Sequence, residues 1–404
     1  MTVPPASDAS APSSSPAHRA QSRVTRRALI GAAGAVAAGA VITPAVMAGT
    51  TAPDAAGPGP AGPDDTVSGA AGANAAAVAT GAGLTTEDFP ATRTAAAVGE
   101  APVEAAFPIG FVGVRWQGTP DATGGAIRLR EADGTAGAWR TFPSNGCSPA
   151  DGGGLLIPAG QAAGYELRAP AGATGLRSLA LDTTHGPTRA VAVPSAPTRM
   201  RGLPYVSRAA WGADESLRFD PDGDEKTPAA YYPFQTITVH HTATPNGDSH
   251  PAATVRGIYE LHTGTNEWGD IGYHFLVDEK GRIYEGRHTD GGGMPGHDAE
   301  GRVVTAFHVG GHNSGNLGIA LLGTLVDRSP TPAARSSLTR LVRVLVRHHG
   351  VDPWAHVTYT NPVDGGRKEV PGISGHRDWM VTKCPGGTMY QELDRLRSAV
   401  ADGA

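Results

Sequence analysis

Thr236-Ile237-Thr238-Val239-His240-His241 alternates polar and apolar side chains up to a histidine pair, the period-two pattern of a β-strand. Downstream, Asp248 or Ser249 can cap a helix that carries Val255, Ile258, Tyr259 and His262 on one stripe. Tyr273-His-Phe-Leu-Val277 and Arg282-Ile-Tyr-Glu285, joined by Asp278-Glu-Lys-Gly281, read as a hairpin. Leu317-Gly-Ile-Ala-Leu-Leu322 is nearly all apolar, as expected of a central strand covered on both faces. Thr331-Pro332 opens a helix with Leu338, Leu341, Val342, Leu345 and Val346 on one stripe and Gly350 past its end. A second amphipathic helix is predicted over Tyr390–Val400. The alternation predicts an α/β domain over residues 203–400, a mixed central sheet flanked by helices.

Upstream, residues 101–195 hold short alternating runs, among them Ile109-Gly-Phe111-Val-Gly-Val114-Arg-Trp116 and Leu176-Arg-Ser-Leu-Ala-Leu181, cut by Gly, Asp and Pro. This predicts a small all-β, sandwich-like accessory domain with no catalytic constellation. Residues 49–100 are Ala, Gly, Pro, Thr and Asp with almost no aromatics, and are expected to be a disordered linker. In residues 1–48, Thr25-Arg26-Arg27-Ala28-Leu29-Ile30 precedes a mild Gly/Ala-rich apolar run. That resembles a twin-arginine (Tat) export signal, with cleavage expected after Val46-Met47-Ala48 and a secreted or cell-wall location. No later segment approaches the ~18 apolar residues of a membrane helix, so no membrane anchor is expected once the signal is removed.

The 404 residues carry a formal charge of −5 and only four lysines, and the signal would take four arginines with it. Such a chain is no binder of nucleic acid by bulk charge. Two cysteines, Cys147 and Cys384, exclude a disulfide framework, and Cys147 in its Ser-Asn-Gly-Cys-Ser-Pro loop is expected to be a surface or structural thiol.

Of 15 histidines, all but His18 and His185 follow residue 239. Cys384 lies eight residues beyond His376 in Gly375-His-Arg-Asp-Trp-Met-Val-Thr-Lys-Cys-Pro385. Imidazole and thiolate together suit Zn²⁺. Eight residues do not share one helix face, so both are placed on a loop folding back on one metal, with a strand histidine as third ligand and a water position left open. Periodicity alone does not choose between His240 and His241. A ligand must point out of the apolar layer, which favours His240.

Val206-Ser-Arg-Ala-Ala-Trp-Gly-Ala213, Ile237-Thr-Val-His-His-Thr-Ala243, Trp268-Gly-Asp-Ile-Gly-Tyr-His-Phe275, Gly281-Arg-Ile-Tyr-Glu-Gly-Arg287, His312-Asn-Ser-Gly-Asn-Leu-Gly-Ile319 and Gly375-His-Arg-Asp378…Thr382-Lys-Cys-Pro385 follow one another in order. Residues 203–400 thereby resemble peptidoglycan recognition proteins, relatives of the type 2 N-acetylmuramoyl-L-alanine amidases. The resemblance implies a zinc amidase domain that acts on peptidoglycan, cleaving the amide between the lactyl group of N-acetylmuramic acid and L-alanine, as a monomer. It implies zinc ligands at His240, His376 and Cys384, an active-site tyrosine at Tyr273, a second catalytic position at Thr382, and substrate-side residues His308 and Asn313. The base that activates water stays open among Tyr273, His308 and the ion's own water. Two other readings stand beside it: a non-catalytic peptidoglycan-binding module, in which a serine typically replaces the Cys, and a thiol hydrolase with Cys384 as nucleophile and His376 as base. The polar loop Gly291-Gly-Gly-Met-Pro-Gly-His-Asp298 is longer than the family pattern leads one to expect, and the Gly-Trp pair tied to diaminopimelate stems in animal members is not visible there, which leaves stem preference open.

Overall fold

The computed structural model describes residues 83–119, 122–143, 152–291 and 293–403. The expected signal (1–48), the linker up to residue 82 and Cys147 lie outside the described residues.

The first half is built of strands: β1 (Leu84–Pro90), β2 (Arg93–Val98), β3 (Val103–Gln117), β4 (Ala126–Arg130), β5 (Arg140–Thr141), β6 (Gly152–Arg168), β7 (Thr174–Asp182) and β8 (Thr188–Pro194). Six of them make one antiparallel sheet in the order β2-β7-β3-β6-β4-β5. The expected sandwich would be two sheets; here β3 and β6 run 15 and 17 residues and stay in one ladder, with register shifts on either side of Ile109 where the strand can bend. Ile109, Val112, Val114, Trp116, Ile127, Phe142, Ile157, Tyr165 and Leu167 fill their core, and Trp116 stacks on Phe142 with centroids 5.8 Å apart.

The linker expected to reach residue 100 stops short. Residues 84–90 pair with β8 in full register and residues 93–98 join the sheet beside β7. β1 is mostly exposed, and β2 alternates half-buried and exposed positions through Ala side chains. Backbone pairing rather than apolar burial holds these strands, and composition does not report it. Arg93 of β2 also grips Asp182 at the end of β7, which is fully buried. Burial pushes the Asp182 carboxyl up, but Arg93 and the backbone N–H groups of Thr184 and His185 outweigh it and hold the group at about 2. A depressed carboxylate contributes stability above its ordinary value of 3.8 and loses it as the pH falls towards about 2. Acid unfolding followed by circular dichroism should show a stability loss across that window that Asp182→Asn largely abolishes; an unchanged acid limb in the variant would contradict the assignment.

In the second half, the hairpin β9 (Thr198–Met200)–β10 (Leu203–Tyr205) leads in, and β11 (Tyr231–Tyr232) pairs with β15 (Val303–Val304). The central sheet has the order β14-β13-β16-β12-β19, comprising β12 (Thr236–His241), β13 (Phe275–Val277), β14 (Ile283–Glu285), β16 (Asn316–Leu321) and β19 (Ile373–Gly375). β12, β13, β16 and β19 are parallel and β14 is the antiparallel edge. β17 (His356–Thr360) and β18 (Arg367–Pro371) form a separate ribbon. Helices are α1 (Pro251–Glu260), α2 (Pro332–His349), α3 (Gly387–Gln391) and α4 (Leu393–Ala401).

α2 begins and ends as its signals predict: the Thr331 hydroxyl accepts from the Ala334 N–H, and Gly350 takes the left-handed conformation. The helix expected over Tyr390–Val400 is instead broken at Glu392, whose buried carboxylate pairs with Arg335 of α2 at 2.8 Å. The pleat sends Ile237 and Val239 into the core that α2 and α4 cover. It sends His240 to the opposite face, level with Leu276 and Ala320, where α1 packs.

The two halves share a core. Leu156, Leu179 and Leu181 of the first sheet pack with Trp211, Val255, Ile258, Tyr259 and Leu261. Buried Arg256 of α1 donates to the Trp211 and Thr183 carbonyls at 2.8 and 2.9 Å. Among the described residues, no helix is long and apolar enough to cross a membrane.

Candidate metal centre

His240 occupies the fifth position of β12, and His376 directly follows β19, the parallel neighbour of β12. The loop after His376 folds back: the Arg377 N–H donates to the Cys384 carbonyl at 3.0 Å, and the Thr382 hydroxyl accepts from the Cys384 N–H at 3.2 Å. This brings residue 384 beside the strand end despite its distance in sequence. Donor atoms of His240, His376 and Cys384 lie within 4.8 Å of one another, and all three residues are buried. His241, on the other face, accepts from the Leu325 N–H through Nδ1 at 3.0 Å, while its backbone N–H points to the Cys384 sulfur at 3.4 Å.

The donor set fits zinc on two observations. The Cys384 Sγ lies 3.6 Å from His240 Nδ1. Ligands held tetrahedrally by bonds of about 2.3 Å (sulfur) and 2.0–2.1 Å (nitrogen) stand ~3.6 Å apart. Both ring nitrogens of His376 are buried without a hydrogen-bond partner among the described residues. An unsatisfied buried imidazole is costly, and a cation at one of its nitrogens satisfies the lone pair there.

His308, expected on the substrate side, sits behind His240. Its Nδ1 meets His240 Nε2 at 3.0 Å, and its Nε2 meets the Asn316 carbonyl at 3.0 Å. A carbonyl can only accept, so His308 carries its proton on Nε2 and accepts from His240 Nε2–H. That leaves the lone pair of His240 on Nδ1, facing Cys384. Burial, with neighbouring imidazoles, pushes His308 well below its usual value and keeps it neutral. The ring lies flat on β16 because residue 318 is glycine; a Cβ there would stand 2.5 Å from the ring. With both nitrogens engaged, His308 is no base for water. Asn313 likewise turns inward, its Oδ1 accepting from the His308 and Val309 N–H groups at 2.9 and 2.8 Å. Thr382 serves the Cys384 loop, as described.

Tyr273 lies beside the centre, its ring 5.4 Å from that of His240 and 5.7 Å from that of His262. His262, read from the helix stripe as core, also accepts from the Gly272 N–H at 2.9 Å and so sets the loop entering Tyr273. Asp270 in the same loop is fully buried; it lies within the Trp268–Phe275 stretch, which by itself gives it no role. It takes Arg208 Nη1 at 3.0 Å, Arg287 Nη1 at 2.9 Å, and the N–H groups of Ile271 and His288. A small cavity of about 30 Å³ reaches Tyr273, with Gly154, Leu155 and Leu156 of the accessory half forming part of its wall.

Residues 230–387 match the family model described as N-acetylmuramoyl-L-alanine amidase. The chain is 31% identical over 166 residues to a human N-acetylmuramoyl-L-alanine amidase, covering 40% of this chain and 24% of that one. It is 31% identical over 190 residues to human peptidoglycan recognition protein 3, covering 46% and 44%. The solved structure of Drosophila peptidoglycan recognition protein SD is 25% identical, with coverage of 48% and 94% and a TM-score of 0.35. The chain spans about a quarter of the length of the human and pig amidases it matches. Residues 230–387 thus match the amidase family, and the C-terminal half is similar both to N-acetylmuramoyl-L-alanine amidases and to peptidoglycan recognition proteins.

Proposed function

We propose that the chain is a secreted zinc amidase that hydrolyses the bond between the lactyl group of N-acetylmuramic acid and L-alanine in peptidoglycan. The carrying observation is the buried convergence of His240, His376 and Cys384, with neither His376 nitrogen hydrogen-bonded among the described residues. Zinc bound there would polarise the amide carbonyl and lower the pKa of water. The chain's own residues do the rest. His308 and the Asn316 carbonyl fix the tautomer of His240. Thr382 and the Arg377 N–H hold the Cys384 loop. Tyr273 is the group to hydrogen-bond the oxygen on which charge develops; one such donor is commonly worth about 3 kcal/mol. Cys384 is fully buried with a backbone N–H at its sulfur, which favours a ligand over an exposed nucleophile. Export rests on the Arg26-Arg27 segment.

The test is mass spectrometry of products from defined muropeptides, with zinc quantified in the same sample. Chelation should abolish release of the stem peptide and added zinc should restore it. Full activity of a metal-free sample would overturn the reading. Tyr273→Phe should lower kcat by one to three decades, roughly 1.4–4 kcal/mol, with KM little changed. An unaltered kcat would return Tyr273 to a packing role.

A further inference from the structure

His297, His348 and His349 form a second convergence of donor atoms, away from the first centre, where the loop 293–301 meets the end of α2. His297 is buried, and its Nδ1 lies 3.0 Å from the Pro295 carbonyl, so the proton sits on Nδ1 and the lone pair on Nε2. That lone pair accepts from His349 Nε2–H at 2.9 Å, a proton that an ion held by both nitrogens would move to His349 Nδ1. The ring centroids stand 5.4 Å (His297–His348), 5.0 Å (His297–His349) and 4.7 Å (His348–His349) apart. Three imidazoles on one tetrahedral ion, with bonds of about 2.0–2.1 Å, have ring centres ~5 Å apart. Phe234 stacks on His349 at 3.9 Å and holds it in place.

The electrostatics favour neutral rings. The buried His297 ring carries its one proton on Nδ1 and accepts at Nε2, so it is neutral, the form in which imidazole binds metal. The nearby Asp298 carboxylate is taken up by Arg302. Arg201 donates to His348 Nδ1 at 2.7 Å, which marks that nitrogen as proton-free. An ion binding there displaces Arg201 from its exposed contact.

We infer that His297, His348 and His349 bind a second divalent ion of the zinc class, which clasps the loop 293–301 to the end of α2. An all-imidazole set suits zinc, cobalt or nickel over calcium or magnesium. His348 borders a cleft of about 330 Å³, from which water can complete the coordination.

The test strips the full chain of metal, titrates it with Co²⁺, and counts bound cobalt by mass spectrometry alongside absorption. Wild type should bind two equivalents, one with a near-ultraviolet thiolate-to-cobalt band. His348→Gln and His349→Ala should each fall to one and keep the band; Cys384→Ser should fall to one and lose it. Arg201→Ala should tighten the band-free equivalent several-fold. Because His349 stacks on Phe234, His348→Gln decides if the alanine variant misfolds by circular dichroism. A wild type that binds one equivalent, lost in Cys384→Ser and unaffected in His348→Gln, overturns the site, as do two equivalents retained in His348→Gln. One equivalent that survives Cys384→Ser and disappears in His348→Gln would uphold this site and sink the one at His240.

Discussion

Cys384→Ser is expected to release the zinc-class ion and to cut muropeptide hydrolysis by at least two decades, while binding to cell-wall fragments stays close to wild type. Even partners that only orient a metal ligand typically cost 10–100-fold when removed, so loss of a ligand should cost about a hundredfold or more. Serine is a poorer donor for a borderline ion than thiolate. The His241 N–H now aimed at sulfur would meet a hydroxyl shorter by several tenths of an ångström. Fold should survive, because the loop is held by the Arg377 N–H and by Thr382 rather than by the sulfur. The measurement pairs zinc content with product formation and a pull-down on insoluble peptidoglycan. Wild-type turnover in the serine variant would remove Cys384 from the centre.

Asp270→Ala should be the most destabilising single change near the site, at about 3–5 kcal/mol, the range for removing one partner of a buried ion pair. Arg208 would retain Glu215, whose oxygens lie 2.8 and 3.1 Å away. Arg287, buried, would be left with the carbonyls of Thr227 and Thr305. The Ile271 and His288 N–H groups would lose their acceptor, and the segment entering Tyr273 would lose its anchor. Urea unfolding should show a lower midpoint, and Asp270→Asn, which keeps acceptor oxygen but not charge, should fall between. A loss below 1 kcal/mol for the alanine variant would show that the two guanidinium groups re-pair at little cost.

The contrast between these two residues shows what could be read before any coordinates. Cys384 was legible because thiolate beside imidazole is rare and chemically specific. Asp270 was not, because its partners, at positions 208 and 287, are far away in the chain and a single Asp in a loop has no period. β12, β16 and α2 were legible through alternation, an apolar run, and a Thr-Pro start with a Gly stop. β1 and β2 were not, since an exposed polar strand and an Ala-rich one, both held by backbone pairing, resemble a linker. His308 and Asn313, expected on the substrate side, turn inward instead, since sequence does not say on which side of His240 a ring lies; Gly318 decides that by leaving room for it. His348 and His349 stand in the last turn of α2, where nothing local announces His297.

The shared core between the halves has a practical corollary. Cutting the chain near residue 200 would lay Val255, Ile258 and Leu261 open to water and strip buried Arg256 of its Thr183 acceptor. The liberated C-terminal piece should therefore self-associate in solution, since the first half acts as its fitted cover rather than as a tethered passenger.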